Sequence, residues 1–256
     1  MRLPFVISVP HGSFQIPEDI RDSMALTQRE VLESTDLGAR EVFTQLPVTV
    51  ALWSRWSRLV VDLNRDFTER DPKGVVPEID YYGRDIYRGD GRPDKNEVER
   101  RLKAYYWPYH NRLKEAIENP EIKALFDCHS LVPIGPSGAP DPLRWRKEIV
   151  LGNNGNSRGE PDPALGDITC PVEAIQMIKE GFINGGFSVS VNQPYSGGFI
   201  TTHYGLELIK KGKMSLQIEI NQDLYVDKES LQLDRNRLGE ISNRLQQIFR
   251  HIAREI

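Results

Sequence analysis

The residues best suited to chemistry are two imidazoles, each placed just after a short apolar run. Residues 5–9 form such a run, Pro10 stops it, and His11 comes next. Residues 123–128 form another, and His129 follows directly in Asp-Cys-His-Ser at 127–130. A third polar group, Asp62 with Asn64, Arg65 and Asp66, follows the β-rich run at 59–63. In a layered α/β protein the ends of buried strands meet at one rim, and ligands bind there. Two imidazoles on that rim can share a metal ion. The chain has five histidines, so two of five carry this placement. Carboxylates complete the inventory. In residues 214–221, Met214, Leu216, Ile218 and Ile220 share one face of a strand, and Ser215, Gln217, Glu219 and Asn221 share the other.

The elements that must position these groups alternate along the chain. Strands are expected at 5–9, 48–53, 59–63, 123–128, 148–152, 187–191 and 214–220. Helices are expected at 27–45, where Thr27 and Glu30 have capping-box spacing, then at 96–118 with a disturbance at Pro108, at 171–184 and from 229 to the end. In the last of these Leu231, Leu238, Ile241, Leu245, Ile248 and Ile252 fall on or near one face. Alternation of this kind predicts a three-layer α/β/α fold with a mixed, mostly parallel sheet, in one catalytic domain spanning 1–256. Long irregular stretches at 66–95 and 132–167 are placed to form active-site loops.

Composition narrows the function class. The chain is 39% hydrophobic and 27% charged, with net charge −4, so it carries no basic excess of the kind that marks a nucleic-acid binder. The clusters Arg84, Arg88, Arg92 and Arg144, Arg146, Lys147 read as solvated loop charges. Cys128 and Cys170 form no zinc signature and read as free thiols in a reducing compartment. No run approaches the ~20 apolar residues of a membrane span, and residues 1–11 lack the features of a signal peptide. A cytoplasmic location is expected.

Five segments occur in order: Pro-His-Gly-Ser at 10–13, Val-Asp-Leu-Asn-Arg-Asp at 61–66, Asp-Cys-His-Ser at 127–130, Gly-Gly-Phe-Ile-Thr at 197–201 and Gln-Ile-Glu-Ile-Asn at 217–221. With Tyr-Trp-Pro-Tyr-His at 106–110, they resemble the N-formylglutamate amidohydrolase family over residues 5–225. The resemblance implies a zinc carboxypeptidase-like core, one catalytic zinc per chain, and cleavage of a small N-acyl amino acid such as N-formyl-L-glutamate. It maps His11 and His129 onto two metal ligands. Relatives in the wider clan use His-x-x-Glu, but here Phe14 stands three residues after His11, so the third ligand must come from elsewhere. Asp36 is the best match and Glu33 the second. Glu219 takes the role of general base. Asn64 and Arg65 hold the substrate carboxylate, for which a planar guanidinium fork is suited. Arg58 polarises the scissile carbonyl, and Thr201 and His203 contact substrate. Asp127 hydrogen-bonds behind a ligand histidine. His110 reads as a packed structural residue, and His251 has no assigned role. Two rival readings share the same rim. One is a different zinc amidohydrolase or carboxypeptidase. The other is a non-catalytic protein that binds a metal or a carboxylate. Oligomeric state is left open.

Overall fold

In the computed structural model, which describes residues 2–256, the apolar runs become strands β1 (Leu3–Val9), β2 (Val48–Trp53), β3 (Ala124–Leu131), β4 (Ile149–Gly152), β5 (Val189–Val191) and β6 (Met214–Asn221). They form one sheet in the order β2-β1-β3-β6-β4-β5. The strands β2, β1, β3 and β6 are parallel. β4 runs against β6, and β5 is parallel to β4. The architecture is therefore α/β with a mixed, mostly parallel sheet, as the alternation predicted. The chain leaves β1 toward β2 on one side and then crosses to β3 on the other. The crevice beyond the ends of β1 and β3 is thus a switch point, the place where open α/β sheets take ligands.

The helices are α1 (Glu18–Arg21), α2 (Gln28–Glu33), α3 (Ala39–Phe43), α4 (Lys95–Arg101), α5 (Trp107–Glu118), α6 (Val172–Asn184), α7 (Phe199–Ile209) and α8 (Arg235–Glu255). One face of the sheet, with Phe5, Phe126 and Leu216, is covered by Val42 and Phe43 of α3, Phe182 of α6, and Leu245 and Phe249 of α8. The other face, with Val6 and Leu125, is covered by Tyr109 and Leu113 of α5 and by Ile200 and Tyr204 of α7. Each fully buried side chain of this size contributes roughly 1.5–3 kcal/mol. Packing therefore fixes β3 and β6 more firmly than any single hydrogen bond in the site. Among the described residues no helix is long and apolar enough to cross a membrane. Cys128 and Cys170 are free and buried.

Three departures from the sequence expectation, and the expected disturbance near Pro108, matter for function. The helix expected over 27–45 is two helices. The capping box forms, with the Glu30 amide donating to Thr27 Oγ1 and the Thr27 amide to Glu30 Oε2, but α2 stops at Glu33. Gly38, at φ +75°, then starts α3 in a conformation an L side chain rarely adopts. Residues 59–63 are not a strand. They form a buried turn whose Leu59, Val60, Val61 and Leu63 are packed inward, with the Asp62 amide donating to Val75 O. Residues 199–209, to which the strand and helix pattern assigned no element, are helix α7. Between α4 and α5 the helix stays continuous through a π-helical turn, Leu102–Tyr106, two residues before Pro108. The proline ring crowds the carbonyl four residues back and removes one donor, which accounts for the widened turn.

Candidate active site

The strands deliver the first half of the site through register alone. β3 pairs with β6 so that Asp127 lies beside Gln217 and His129 beside Glu219. β6 is a central strand with both faces covered, and all eight of its residues are buried. Its polar face is therefore an interior surface, and its Gln217 and Glu219 line a cavity. Gln217 bonds on both sides: its Oε1 accepts from the Gly198 amide at 2.6 Å, and its Nε2 donates to Glu219 Oε1 at 3.0 Å.

Turns deliver the second half. His11 sits one residue past Pro10 at the end of β1. The break between α2 and α3 carries Asp36 inward, where its amide donates to His11 O at 3.1 Å. Gln222 Nε2 donates to Thr35 O and to Ser130 Oγ, tying this turn to the end of β3. The 57–65 turn supplies Arg58, Asp62, Asn64 and Arg65.

The three expected metal ligands meet. Single ligand atoms of His11, Asp36 and His129, all buried, lie within 4.8 Å of one another. Asp36 Oδ2 is 2.9 Å from His129 Nδ1 and 3.7 Å from His11 Nδ1. Glu33, the other candidate, is drawn off by Arg84 at 2.7 Å and Arg29 at 3.1 Å. Each imidazole is gripped from behind. His11 Nε2 bonds Asp62 Oδ1 at 2.7 Å, and His129 Nε2 lies 3.1 Å from Asp127 Oδ2. Asp127 thus stands where the sequence put it. It is held in turn by the hydroxyls of Ser8 at 3.1 Å and Thr201 at 3.3 Å.

The arrangement fits a divalent cation. With the Nε2 proton of His11 committed to Asp62, the lone pair of Nδ1 faces the other two ligands, and this buried atom has no hydrogen-bond partner. Burial and the nearby Arg58 lower the His11 pKa, which favours the neutral, ligating form. At His129 burial opposes the charged form, but Asp127, Asp36 and Glu219 outweigh it and raise the pKa well above the ordinary value. Burial pushes Asp36 up, yet the hydrogen bond from His129 and the charges of His11, His129 and Arg58 hold it below its usual range. The cluster thus demands positive charge at its centre, which a proton or a metal can supply. Beside it, burial raises the Glu219 carboxyl to about 7; His129 and Arg146 oppose the shift, and Asp36 and Asp127 add to it.

A cavity of about 230 Å³ opens onto this cluster and is also lined by Arg58, Asn64, Arg65, Arg146, Glu219, Gly197 and Gly198. Arg58 pairs with Asp62 Oδ2 at 2.6 Å. Arg65 has no ion pair among the described residues, and its buried Nε has no partner. Asn64 is engaged: its Oδ1 accepts from the Ile200 amide at 2.7 Å and its Nδ2 lies 3.1 Å from His129 Nε2. Gly198 must be bare, because a Cβ there would run into the Asn64 amide.

Two expected substrate contacts are not in the cavity. Thr201 is fully buried behind Asp127 on the first turn of α7, and His203 is exposed and stacked on Phe199. Both follow from residues 199–209 being helix, which turns these side chains away from the opening. His110 is packed as expected, its ring against Tyr106 and Tyr204 and its Nε2 at 3.0 Å from Leu63 O. Arg146 corrects the reading of its cluster as solvated. Its side chain is 1% exposed, it lines the cavity, and it forms a bidentate pair with Asp141 at 2.7 and 2.8 Å. Tyr81 and Tyr195 line the same wall. No local sequence signal distinguished these three, because loop charge and loop tyrosine look alike whether they face water or a cavity.

A family model described as N-formylglutamate amidohydrolase matches residues 3–226. The chain belongs to the N-formylglutamate amidohydrolase family. Within the family it is 28% identical to an N-formylglutamate deformylase of Pseudomonas aeruginosa, over 90% of this chain and 84% of that protein. It is 27% identical to an N-formylglutamate deformylase of Pseudomonas putida, over 88% and 83%. The fold matches the crystal structure of an N-formylglutamate amidohydrolase from Ralstonia eutropha with TM-score 0.74 at 20% identity, covering 100% of this chain and 96% of that one. A gene product from Agrobacterium tumefaciens matches with TM-score 0.71 at 22% identity, over 99% and 91%. The five ordered segments of this family member therefore lie within a match that spans most of the chain.

Proposed function

We propose that this chain hydrolyses N-formyl-L-glutamate to formate and L-glutamate in the cytoplasm, with His11, Asp36 and His129 holding one zinc ion. One observation carries the reading: a buried His-Asp-His cluster stands beside a carboxyl raised to about 7, in a cavity that also holds an unpaired guanidinium. Membership of the N-formylglutamate amidohydrolase family and the names of both Pseudomonas relatives support the same substrate. Zinc bound by such a ligand set lowers the pKa of water and polarises a carbonyl.

The protein's own groups do the rest. Glu219, oriented by Gln217, takes a proton from the attacking water and delivers it to the leaving amine as the C–N bond breaks. A carboxyl near 7 is well matched to this task, since it must both accept and release a proton near neutrality. Arg65 binds a carboxylate of the amino acid through its free fork. Arg58, anchored by Asp62, presents its remaining N–H groups to the negative charge that develops on the formyl oxygen. Asn64 positions the start of α7 by accepting from the Ile200 amide, so its contribution to binding is indirect. Asp62 and Asp127 hold the two imidazoles in their ligating orientation.

The test is formate release from N-formyl-L-glutamate by purified protein supplied with zinc, beside a chelator-treated sample. Release only with metal, abolished in His129→Ala, is the expected result. Equal release in the chelated sample, or full turnover and full metal content in His129→Ala, would overturn the mechanism.

A further inference from the structure

Ser8 is a hydroxyl in the middle of the apolar run of β1. It is fully buried, and the parallel pairing of β1 with β3 sets it beside Asp127. Its Oγ lies 3.1 Å from Asp127 Oδ1 and 2.9 Å from Oη of Tyr109 on α5, a residue otherwise packed in the core on that face of the sheet. Proton counting gives these contacts a direction. A carboxylate only accepts, so Ser8 donates to Asp127. That uses the single serine proton, and the serine oxygen then accepts from Tyr109. Burial pushes the Tyr109 phenol up, against the hydrogen bond with Ser8, so the ring keeps the proton it donates. Asp127 Oδ2 accepts from Thr201 Oγ1 at 3.3 Å and faces His129 Nε2 at 3.1 Å. On Oδ1, Ser8 is the only donor among the described residues. Tyr109, Ser8, Asp127 and His129 are all buried, so protein donors must hold the carboxylate that water would otherwise solvate.

We infer that Ser8 and Tyr109 are positioning residues for the metal centre: a chain from Tyr109 through Ser8 to Asp127 fixes the carboxylate that orients His129, and so sets metal affinity from α5. The inference rests on the reading of His11, Asp36 and His129 as a metal site. It gives α5 a hold on β3 through Tyr109, beside the hold that His110 has on Leu63 O of the 57–65 turn. The chain has an order that can be tested. Ser8→Ala removes the donor to Asp127 and leaves the Tyr109 hydroxyl without an acceptor. Tyr109→Phe removes only the outer link and keeps the packed ring. The double variant loses both links and strands neither.

The experiment measures zinc affinity by competition with a chromophoric chelator, in wild type, Ser8→Ala, Tyr109→Phe and the double variant, with the melting temperature of each. Ser8→Ala should weaken zinc binding roughly tenfold, and Tyr109→Phe, one link further out, about threefold. The double variant should bind zinc as Ser8→Ala does, and not ~30-fold more weakly, because Tyr109 acts only through Ser8. Thr201→Val strips a donor from the other oxygen, so its loss should multiply with that of Ser8→Ala. A general loosening of the fold would instead lower the melting temperature and multiply the losses in every pair. Unchanged affinity in Tyr109→Phe, or multiplied losses in the double variant, overturns the chain. If Ser8→Ala does not fold, Tyr109→Phe decides alone. No zinc bound by wild type overturns the metal reading and the inference with it, whereas zinc held equally by wild type and all variants overturns the inference only.

Discussion

The two halves of the site are built differently. His129, Asp127, Gln217 and Glu219 stand on β3 and β6, side by side in a parallel register and backed on both faces by core. His11, Asp36, Arg58, Asp62 and Arg65 stand on turns, and polar bonds hold those turns in place: Asp62 to His11 Nε2, Asp62 to the Asn64 amide at 2.9 Å, the Asp36 amide to His11 O, and Gln222 to Thr35 O. The comparison teaches where each half is vulnerable. A strand position survives loss of a side-chain bond because the ladder remains. A turn position loses the thing that placed it.

The largest effect falls on the strand half and is purely chemical. Glu219→Gln should lower kcat by ~10²–10⁴-fold, as loss of a general base does, while metal content and melting temperature stay at wild-type values. A variant that also lost its metal would mean that β6 supplies structure to the cluster and not only a base.

Acid should act next, and on the turn half. His110 holds Leu63 O of the 57–65 turn, and burial lowers its pKa to about 4 from an ordinary 6.5. The folded state therefore binds fewer protons than the unfolded state between those values. The neutral ring's stabilisation is complete above 6.5 and is lost as the pH falls toward 4, about 3 kcal/mol in all. Chemical denaturation of wild type and His110→Gln across this window should give curves whose difference shrinks toward pH 4. Parallel curves would remove His110 as the cause.

Removing one support from each half sharpens the comparison directly. Asp62→Asn and Asp127→Asn should each weaken metal affinity by ~10–100-fold. Asp62→Asn should be the worse, because Asp62 also anchors Arg58 and the Asn64 amide. Metal titration with a competing chelator decides the order, and a reversed order would break the argument. Smallest is Gly38→Ala, where a Cβ at positive φ would meet the Tyr225 ring. A loss of ~1–3 kcal/mol in unfolding free energy is expected, with partial loss of metal as the Asp36 turn shifts.

The same division explains what could be read in the sequence. The strand-end positions of His11 and His129 and the strand that carries Glu219 were legible from apolar runs and alternation, while their assigned roles came from the family resemblance. Alternation alone reads as a strand with one solvated face, and β6 is buried throughout. The α/β alternation was legible from the same apolar runs. Asp36 came from the family resemblance alone. The helical pattern of 27–45 hid the break at Gly38 that brings Asp36 inward, since one glycine in such a pattern is weak evidence for a stop. The β-rich run at 59–63 is buried but irregular, and apolar content cannot separate a buried turn from a strand. Arg146 was invisible because its burial depends on Asp141 of its own loop and on Tyr81 and Tyr195 of two other loops that only the fold brings together.

The π-helical turn sets a phase. Arg101 Nη1 donates to Val60 O, Tyr106 Oη to Arg65 O, and His110 Nε2 lies against Leu63 O, so one helix holds three carbonyls of the 57–65 turn. Residues 101 and 106 are five apart. In an uninterrupted α-helix, at 3.6 residues per turn, they would point about 140° away from each other. The wider turn, with its i→i+5 repeat, returns them to one side. Deleting one residue from 102–105 would leave these two side chains four apart, about 40° from each other in a regular α-helix, and so still on one side. At the five-residue spacing this chain has, the π-helical turn is what absorbs the extra residue: it keeps Arg101 in phase with Tyr106 and His110, so that the arginine-bearing turn is held from three points.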